Sequence, residues 1–202
     1  MSMGRSATAP STRPVAPTPV CPSGGLLAPA GGFTLIETLI AITIAVALFA
    51  MALPSMRDWH RGYELATHAQ YLAGNMTRAR SEAVKRSYRV NLCRTVDRRQ
   101  CAASGSWDAG WIVWVDQNHD GRIDDDEPVL AVSEPTPSGV TVHANRPLAD
   151  YVSYTSFGEA RRLDGALQMG TFSLCRPGQR LIKVVLANTG RVRIEKTGVA
   201  CT

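Results

Sequence analysis

Apolar residues are concentrated in one segment near the start of the chain. Residues 33–53 form a run of twenty-one positions in which Glu37 is the one charged residue. As a helix this run is about 30 Å long, which is the thickness of the hydrocarbon core of a bilayer. Because Ile, Leu, Ala and Val occupy every face, the run predicts a membrane-spanning helix rather than one buried on a single side. A carboxylate inside such a run needs a dedicated partner.

The residues after this run predict a second, amphipathic half of the same helix. Pro54 should kink the helix, because proline removes a backbone hydrogen bond. Apolar side chains then recur at steps of three and four residues. The predicted apolar stripe consists of Met56, Trp59, Tyr63, Ala66, Ala69, Ala73, Met76, Ala79 and Ala83. The pattern therefore predicts one kinked helix from Phe33 to about Tyr88, with an apolar half at 33–53 and an amphipathic half at 54–88.

Beyond Tyr88 the pattern changes to short runs of β-branched and aromatic residues, which turn residues separate. The predicted strands are Arg89–Arg94, Trp111–Asp116, Val129–Ser133, Val140–Ala144, Tyr151–Phe157, Thr171–Cys175, Leu181–Ala187 and Arg191–Glu195. A long helix followed by an antiparallel sheet is an α+β fold. We expect residues 89–202 to form a β-rich globular domain.

Composition adds limits to this picture. The chain has 45% hydrophobic and 19% charged residues, which excludes global disorder. Its formal net charge of +5 is too small to indicate a nucleic-acid-binding protein by itself. Residues 1–32 contain no acidic residue and are rich in Ala, Pro, Ser, Thr and Gly, so they are expected to be disordered. They also lack the apolar core and cleavage site of a secretory signal.

The junction between this segment and the apolar run carries a specific motif. Residues 31–49 read GGFTLIETLIAITIAVALF, which resembles the leader junction of type IV prepilins and type II secretion pseudopilins. The resemblance implies that residues 1–32 are a leader, which a prepilin peptidase removes after Gly32. It also implies methylation of the new amino group of Phe33. Glu37 would then neutralise the amino terminus of a neighbouring subunit in a filament, which agrees with its need for a partner.

Further segments extend the resemblance over the mature chain. They are ARSEAVKRSYRVNLC at 79–93, GWIVWVDQNHDG at 110–121, FSLC at 172–175 and GRVR at 190–193. Their order and spacing are similar to those of the GspH/FimT family of minor pilins and pseudopilins. The resemblance implies a type IV pilin-like fold, no enzymatic activity, and a single-pass inner-membrane protein with a periplasmic C-terminal domain. Its expected partners are other pilin subunits, with a secretin or an assembly platform as further candidates.

The cysteines agree with a location outside the cytoplasm. Cys21 would leave with the leader, so the mature chain has an even number of cysteines. The favoured bridges are Cys93–Cys101 and Cys175–Cys201, although two other pairings remain open. A zinc site is disfavoured, because the spacings contain no Cys-x-x-Cys knuckle. Disulfides imply an oxidising compartment.

An acidic segment, residues 116–127, matches the pattern of a twelve-residue calcium loop. The candidate ligands are Asp116, Asn118, Asp120 and Glu127. The flanking helices of such a site are missing, because a strand precedes the loop and Pro128 follows it. A solvated acidic turn is therefore favoured over a calcium site, and no cofactor is expected. The negative charge also argues against DNA binding at this loop.

Basic residues cluster at the C-terminal end, where residues 176–202 have a local charge of +5. Arg191 and Arg193 alternate along one predicted strand, so both should lie on the same face. In FimT-type minor pilins a Gly-Arg-x-Arg element is associated with DNA binding during natural transformation, which the resemblance carries to residues 190–193. The predicted DNA-binding residues are Gly190, Arg191, Arg193, Arg180, Lys183 and Lys196. Such a patch would contact phosphates without reading the base sequence.

Three functions remain open at this point. The first is a minor pilin that primes or joins a pilus and binds DNA for uptake. The second is a structural minor pilin for pilus assembly and twitching motility. The third is a minor pseudopilin of a type II secretion system.

Overall fold

The computed structural model describes residues 32–201, without the side chains of residues 51–55. Residues 1–31 of the predicted leader therefore lie outside the described residues, and so does the side chain of Pro54 that should kink the helix. The described residues divide into two units, 32–44 and 45–201. Each unit is considered by itself below.

One long helix, α1, spans Leu35–Arg86. It ends two residues earlier than predicted, because Ser87 adopts a left-handed φ of 59° that terminates the helix. In the first unit, the large apolar side chains from Phe33 to Ile44 are exposed. Among the residues whose side chains the structure describes, which leave out 51–55, no helical stretch is long and apolar enough to cross a membrane.

The second unit contains eight strands, and all of the predicted strands are present. They are β1 (Arg89–Arg94), β2 (Trp111–Asp116), β3 (Val129–Val132), β4 (Thr141–Ala144), β5 (Tyr151–Tyr154), β6 (Gly170–Cys175), β7 (Arg180–Leu186) and β8 (Val192–Ala200). They form two antiparallel four-stranded sheets, with the orders β3-β2-β1-β5 and β4-β6-β7-β8. The α+β class is confirmed, although the strands form two sheets where one was expected.

The core of this unit lies between the second half of α1 and both sheets. Alanines on the helix let the sheets approach closely, while Trp107, Trp111 and Phe172 fill the larger spaces. The buried helix residues are Leu65, Ala69, Leu72, Ala73, Met76, Ala79 and Ala83. The predicted stripe is therefore wrong at its beginning. Met56, Trp59 and Tyr63 are all more than 60% exposed, because the face that meets the sheets begins at Leu65.

Two disulfides fasten the loops and the C-terminus of the globular unit. Cys93 is bonded to Cys101 and Cys175 to Cys201, which are the favoured pairings. The second bridge holds the buried residue Cys201 beside the end of β6. The backbone N–H of Cys201 also donates to the carbonyl oxygen of Gln179 at 2.8 Å. The C-terminal end of β8 is thus held beside β6 and the start of β7.

Candidate functional site

The start of α1 brings together the three residues expected to act in processing and docking. Gly32 has no atom within 4 Å of an added Cβ position, and Phe33 is 80% exposed. Thr34 caps the helix, because its Oγ1 accepts a hydrogen bond from the backbone N–H of Glu37 at 3.3 Å. Thr34 and Glu37 thus have the spacing of a capping box. An acidic side chain in the first turn also interacts favourably with the helix dipole, so Glu37 has a local role in addition to the predicted one.

The Gly-Arg-x-Arg element lies at the turn between β7 and β8. Gly190 is buried and has a φ of 79°, a conformation that favours glycine. A Cβ at this position would collide with the carbonyl oxygen of Gly158. Arg80 of α1 fastens both loops, because its Nε donates to the Gly158 carbonyl at 2.9 Å and its Nη2 to the Thr189 carbonyl at 3.1 Å. Gly190 is therefore needed for the close packing of this turn on the rest of the domain.

Arg80 was not among the predicted functional residues. In the sequence it is one of many basic residues of the helix, within the ARSEAVKRSYRVNLC segment. The one sequence signal for its role was its position between two residues of the predicted apolar stripe, Ala79 and Ala83, which are buried. A long basic side chain at the margin of a buried helix face can reach the loops of the packed sheets.

The structure places Arg191 and Arg193 together at the surface. Both side chains are exposed, and Arg191 directly precedes β8. Arg193 is opposite Val185, and Glu195 is opposite Lys183. Because residues directly opposite in an antiparallel pair share a face, Lys183 lies on the same face as Arg193. Glu195 lies there too and accepts a hydrogen bond from the Nε of Arg193 at 2.6 Å, so it reduces the positive charge of this face.

Arg180 and Lys196 do not join that patch. Lys196 is opposite the buried residue Ile182, so its side chain leaves the other face of the sheet. Arg180 lies two residues before Ile182 in β7, and the register shift between them places the extra residues in β8, between Lys196 and Ala200. Arg180 and Lys196 instead line a groove together with Gly62 of α1. The predicted set of six residues is therefore split between the two faces of the sheet.

The acidic loop is held by hydrogen bonds within the protein. Asp116 is fully buried, and its Oδ2 accepts hydrogen bonds from Asn91 Nδ2 at 2.6 Å and from the Gly121 N–H at 3.2 Å. Glu127 is 6% exposed and accepts from the Gln117 N–H at 2.7 Å. In the part of the chain that the structure describes, no three His, Cys, Asp or Glu side chains are placed to share a metal ion. The acidic turn stays the prediction for this segment, and calcium binding by Asp116, Asn118, Asp120 and Glu127 stays the less favoured alternative.

A long-range ion pair connects α1 to the loop after β6. Arg176 Nη1 donates to the carboxylate of Glu64, although 112 residues separate them. This hydrogen bond lowers the pKa of Glu64 below its usual value, and the positive charges of Arg176, His60 and His68 add to the effect. The sequence contains no local signal for this pair, because only the fold brings the two side chains together.

Comparisons with known proteins agree with this architecture. Residues 68–190 match the family model described as type II transport protein GspH. The pilin-like protein PilA1 of Thermus thermophilus is 28% identical over 164 residues, which are 81% of this chain and 97% of that protein. The type IV minor pilin FimU of Pseudomonas aeruginosa superposes with a TM-score of 0.53 at 18% identity, over 71% of this chain and 99% of FimU.

The minor pseudopilin EpsH of the Vibrio cholerae Type 2 Secretion System gives a TM-score of 0.47 at 16% identity, over 67% of this chain and 99% of EpsH. The family model covers more than half of the chain. Members of this family are structural subunits that assemble with other pilin subunits. The chain therefore belongs to the GspH family and has a type IV pilin-like fold.

Proposed function

We propose that this chain enters a filament through the first half of α1, after cleavage between Gly32 and Phe33 by a prepilin peptidase. The observation that carries the proposal is the exposure of every large apolar side chain from Phe33 to Phe49, which ranges from 51% to 80%. A contiguous apolar surface of this size requires a partner outside the chain. A bundle of similar helices in a filament core supplies one, and the lipid of the inner membrane supplies another before assembly.

Glu37 is the docking residue in this proposal. After cleavage the amino group of Phe33 lies four residues before Glu37, at the start of the helix. In a filament core, a buried carboxylate is tolerated when an ammonium group lies beside it. The amino terminus of a neighbouring subunit provides that group. The pairing selects one axial position for each subunit, because a shifted subunit would leave both charges buried without partners.

The test compares filament incorporation of Glu37→Ala and Glu37→Gln with that of the wild type. Both variants remove the charge, so both should be absent from sheared filaments while they remain in the membrane fraction. Glu82→Gln is the matched control, because it removes a carboxylate from the other half of α1 and should leave incorporation normal. Formation of both disulfides reports that each variant folds. Normal incorporation of Glu37→Ala would rule out the docking role.

DNA binding is a second candidate function, which the exposed pair Arg191 and Arg193 favours. Lys183 lies on the same face and can add a third phosphate contact. The hydrogen bonds of Arg80 to the carbonyls of Gly158 and Thr189 fix the backbone before Arg191, so less backbone ordering is needed on binding. A subunit that binds DNA in this way would take part in DNA uptake. Without DNA binding, the chain would be a structural minor pilin or a pseudopilin of a type II secretion system.

Basic residues on the two faces of the sheet β4-β6-β7-β8 allow a matched control for DNA binding. The domain of residues 57–202 contains all of the buried core residues, and its affinity for duplex DNA can be measured across a salt series. Arg191→Gln with Arg193→Gln should weaken binding and reduce the slope of log K against log salt by about two units. Arg180→Gln with Lys196→Gln removes the same charge from the other face and should have a smaller effect. Equal effects of the two pairs would contradict a defined binding face.

A further inference from the structure

An exposed aromatic pair lies on the amphipathic half of α1, before the part that contacts the sheets. The rings of Trp59 and Tyr63 are stacked, with centroids 5.7 Å apart and an interplanar angle of 19°. The two residues are 66% and 61% exposed. Met56 lies on the same side of the helix and is 62% exposed. None of the three belongs to the buried core of the domain, so their apolar surface has another partner.

Basic side chains accompany the aromatic pair. Arg57 and Arg61 line one shallow groove with Met56 and Trp59. Arg61 is 3.9 Å from the carboxylate of Asp58, and both side chains are more than half exposed, so this ion pair is weak. The carboxylate of Glu64 at the end of the groove is already bound to Arg176. The exposed charges of this segment are therefore the guanidinium groups of Arg57 and Arg61 and the carboxylate of Asp58, which leaves a net positive charge.

The position of this cluster along the chain suggests its environment. Between Glu37 and Arg57 there are nineteen consecutive uncharged residues, 38–56, which as a helix would be about 28 Å long, close to the thickness of a bilayer core. Trp59 and Tyr63 follow within two helical turns. Trp and Tyr are enriched where hydrocarbon meets water, because each has an apolar ring and one polar group. Arg side chains at the same level attract anionic headgroups.

We propose that Trp59 and Tyr63, together with Arg57 and Arg61, form an interfacial anchor that contacts the headgroup layer of an anionic bilayer before the subunit enters a filament. The anchor fixes the depth and rotation of α1, and so holds the globular domain at a defined height above the membrane. This inference rests on the membrane-inserted state of the proposed function. The occupant is the lipid surface, whereas a neighbouring subunit is an alternative that the test can detect.

The fluorescence of Trp59 itself reports its contact with lipid in the test. The chain has four tryptophans, and the other three, Trp107, Trp111 and Trp114, are at most 2% exposed. The full chain is reconstituted in vesicles of phosphatidylcholine and phosphatidylglycerol whose acyl chains carry bromine near the headgroup. Bromine quenches tryptophan only at contact distance. We expect a loss of emission relative to unbrominated vesicles, and we expect Trp59→Phe to abolish that loss while it keeps an aromatic ring.

Three results would overturn the anchor. If the chain floats with the vesicles but the wild type and Trp59→Phe show equal quenching, Trp59 does not contact lipid. If Trp59 is shielded from aqueous iodide only in assembled filaments, its partner is another subunit. If the chain does not float with the vesicles at all, the membrane step of the proposed function fails as well, and flotation thus distinguishes the two failures.

Discussion

Leu39 and Leu72 are leucines of the same helix, yet Leu39 is 51% exposed and Leu72 is fully buried. The difference follows from the sequence around each residue. Around Leu39 every helix face is apolar, so no single face is specified for packing within the chain. Around Leu72 one face is apolar and rich in alanine, and the two sheets cover it. The first half of α1 therefore requires a partner outside the chain, whereas the second half has its partner within it.

Substitution of the two leucines should separate these roles. Leu72→Ala should lower the free energy of unfolding by about 4 kcal/mol, because it leaves a cavity in a packed core. Leu39→Ala should leave the stability of the domain unchanged and should weaken filament incorporation. Thermal unfolding of the full chain in detergent, followed by tryptophan emission, measures the first effect. A comparable loss of stability in Leu39→Ala would contradict the division of the helix.

The disulfide between Cys175 and Cys201 should affect the stability of the globular domain and not the exposed first half of α1. Replacement of both cysteines by serine should cost about 3 kcal/mol of stability, because the bridge closes a loop of 26 residues in the unfolded chain. The bridge between Cys93 and Cys101 closes a shorter loop, so the double substitution Cys93→Ser and Cys101→Ser should lower the stability by less. Denaturant unfolding of the domain gives both values. The opposite ranking would show that the bridges act through local packing rather than through loop closure.

Arg80 connects the second half of α1 to the Gly-Arg-x-Arg turn. Arg80→Ala should cost about 1.5 kcal/mol of stability, because it removes two hydrogen bonds from a charged donor. It should also raise hydrogen exchange at the turn of residues 188–190. Arg80→Lys keeps the charge but cannot reach both carbonyls, so it should be intermediate. Unchanged exchange in Arg80→Ala would show that Gly190 alone holds the turn.

The ion pair between Glu64 and Arg176 should have the smallest effect on stability, and this effect should disappear at acidic pH. The folded state lowers the pKa of Glu64 from its ordinary value of 4.5. The pair therefore stabilises the fold fully above that value and loses its contribution as the pH falls through the lower folded pKa. Glu64→Gln should be slightly less stable than the wild type at neutral pH and equally stable in acid. A constant difference over the whole pH range would exclude the carboxylate charge as the cause.

Most of the elements could be predicted because each has a local signature. The change from a helical to a strand pattern after Tyr88 is visible in the chain, and the turn residues separate the strands. The end of β8 was missed, because the prediction stops at Glu195 while the strand continues to Ala200. The continuation depends on pairing with Arg180 in β7 and on the disulfide at Cys201. These contacts lie outside the strand itself, so its own pattern does not reveal them.

The candidate sites were less predictable than the fold. Alternation predicts that Arg191 and Arg193 share a face, and both side chains are exposed in the structure. Alternation also separates Arg180 from Lys183 and Lys196 from Arg193, so the prediction that all four lie in one patch ignored the pattern of the two strands. The amphipathic pattern likewise treats Trp59 and Ala69 as equivalent apolar positions, although Trp59 is exposed and Ala69 is buried, because only the fold decides where the sheets begin to cover the helix.

The most direct test of the account is the accessibility of the first half of α1 in assembled filaments. A cysteine is introduced by Leu39→Cys in one variant and by Thr141→Cys, at an exposed position of β4, in another. Both are treated with a water-soluble maleimide in intact filaments and after dissociation. The account predicts that residue 39 is labelled only after dissociation, while residue 141 is labelled in both states. Equal labelling of residue 39 in intact filaments would contradict the claim that this half of the helix is buried by assembly.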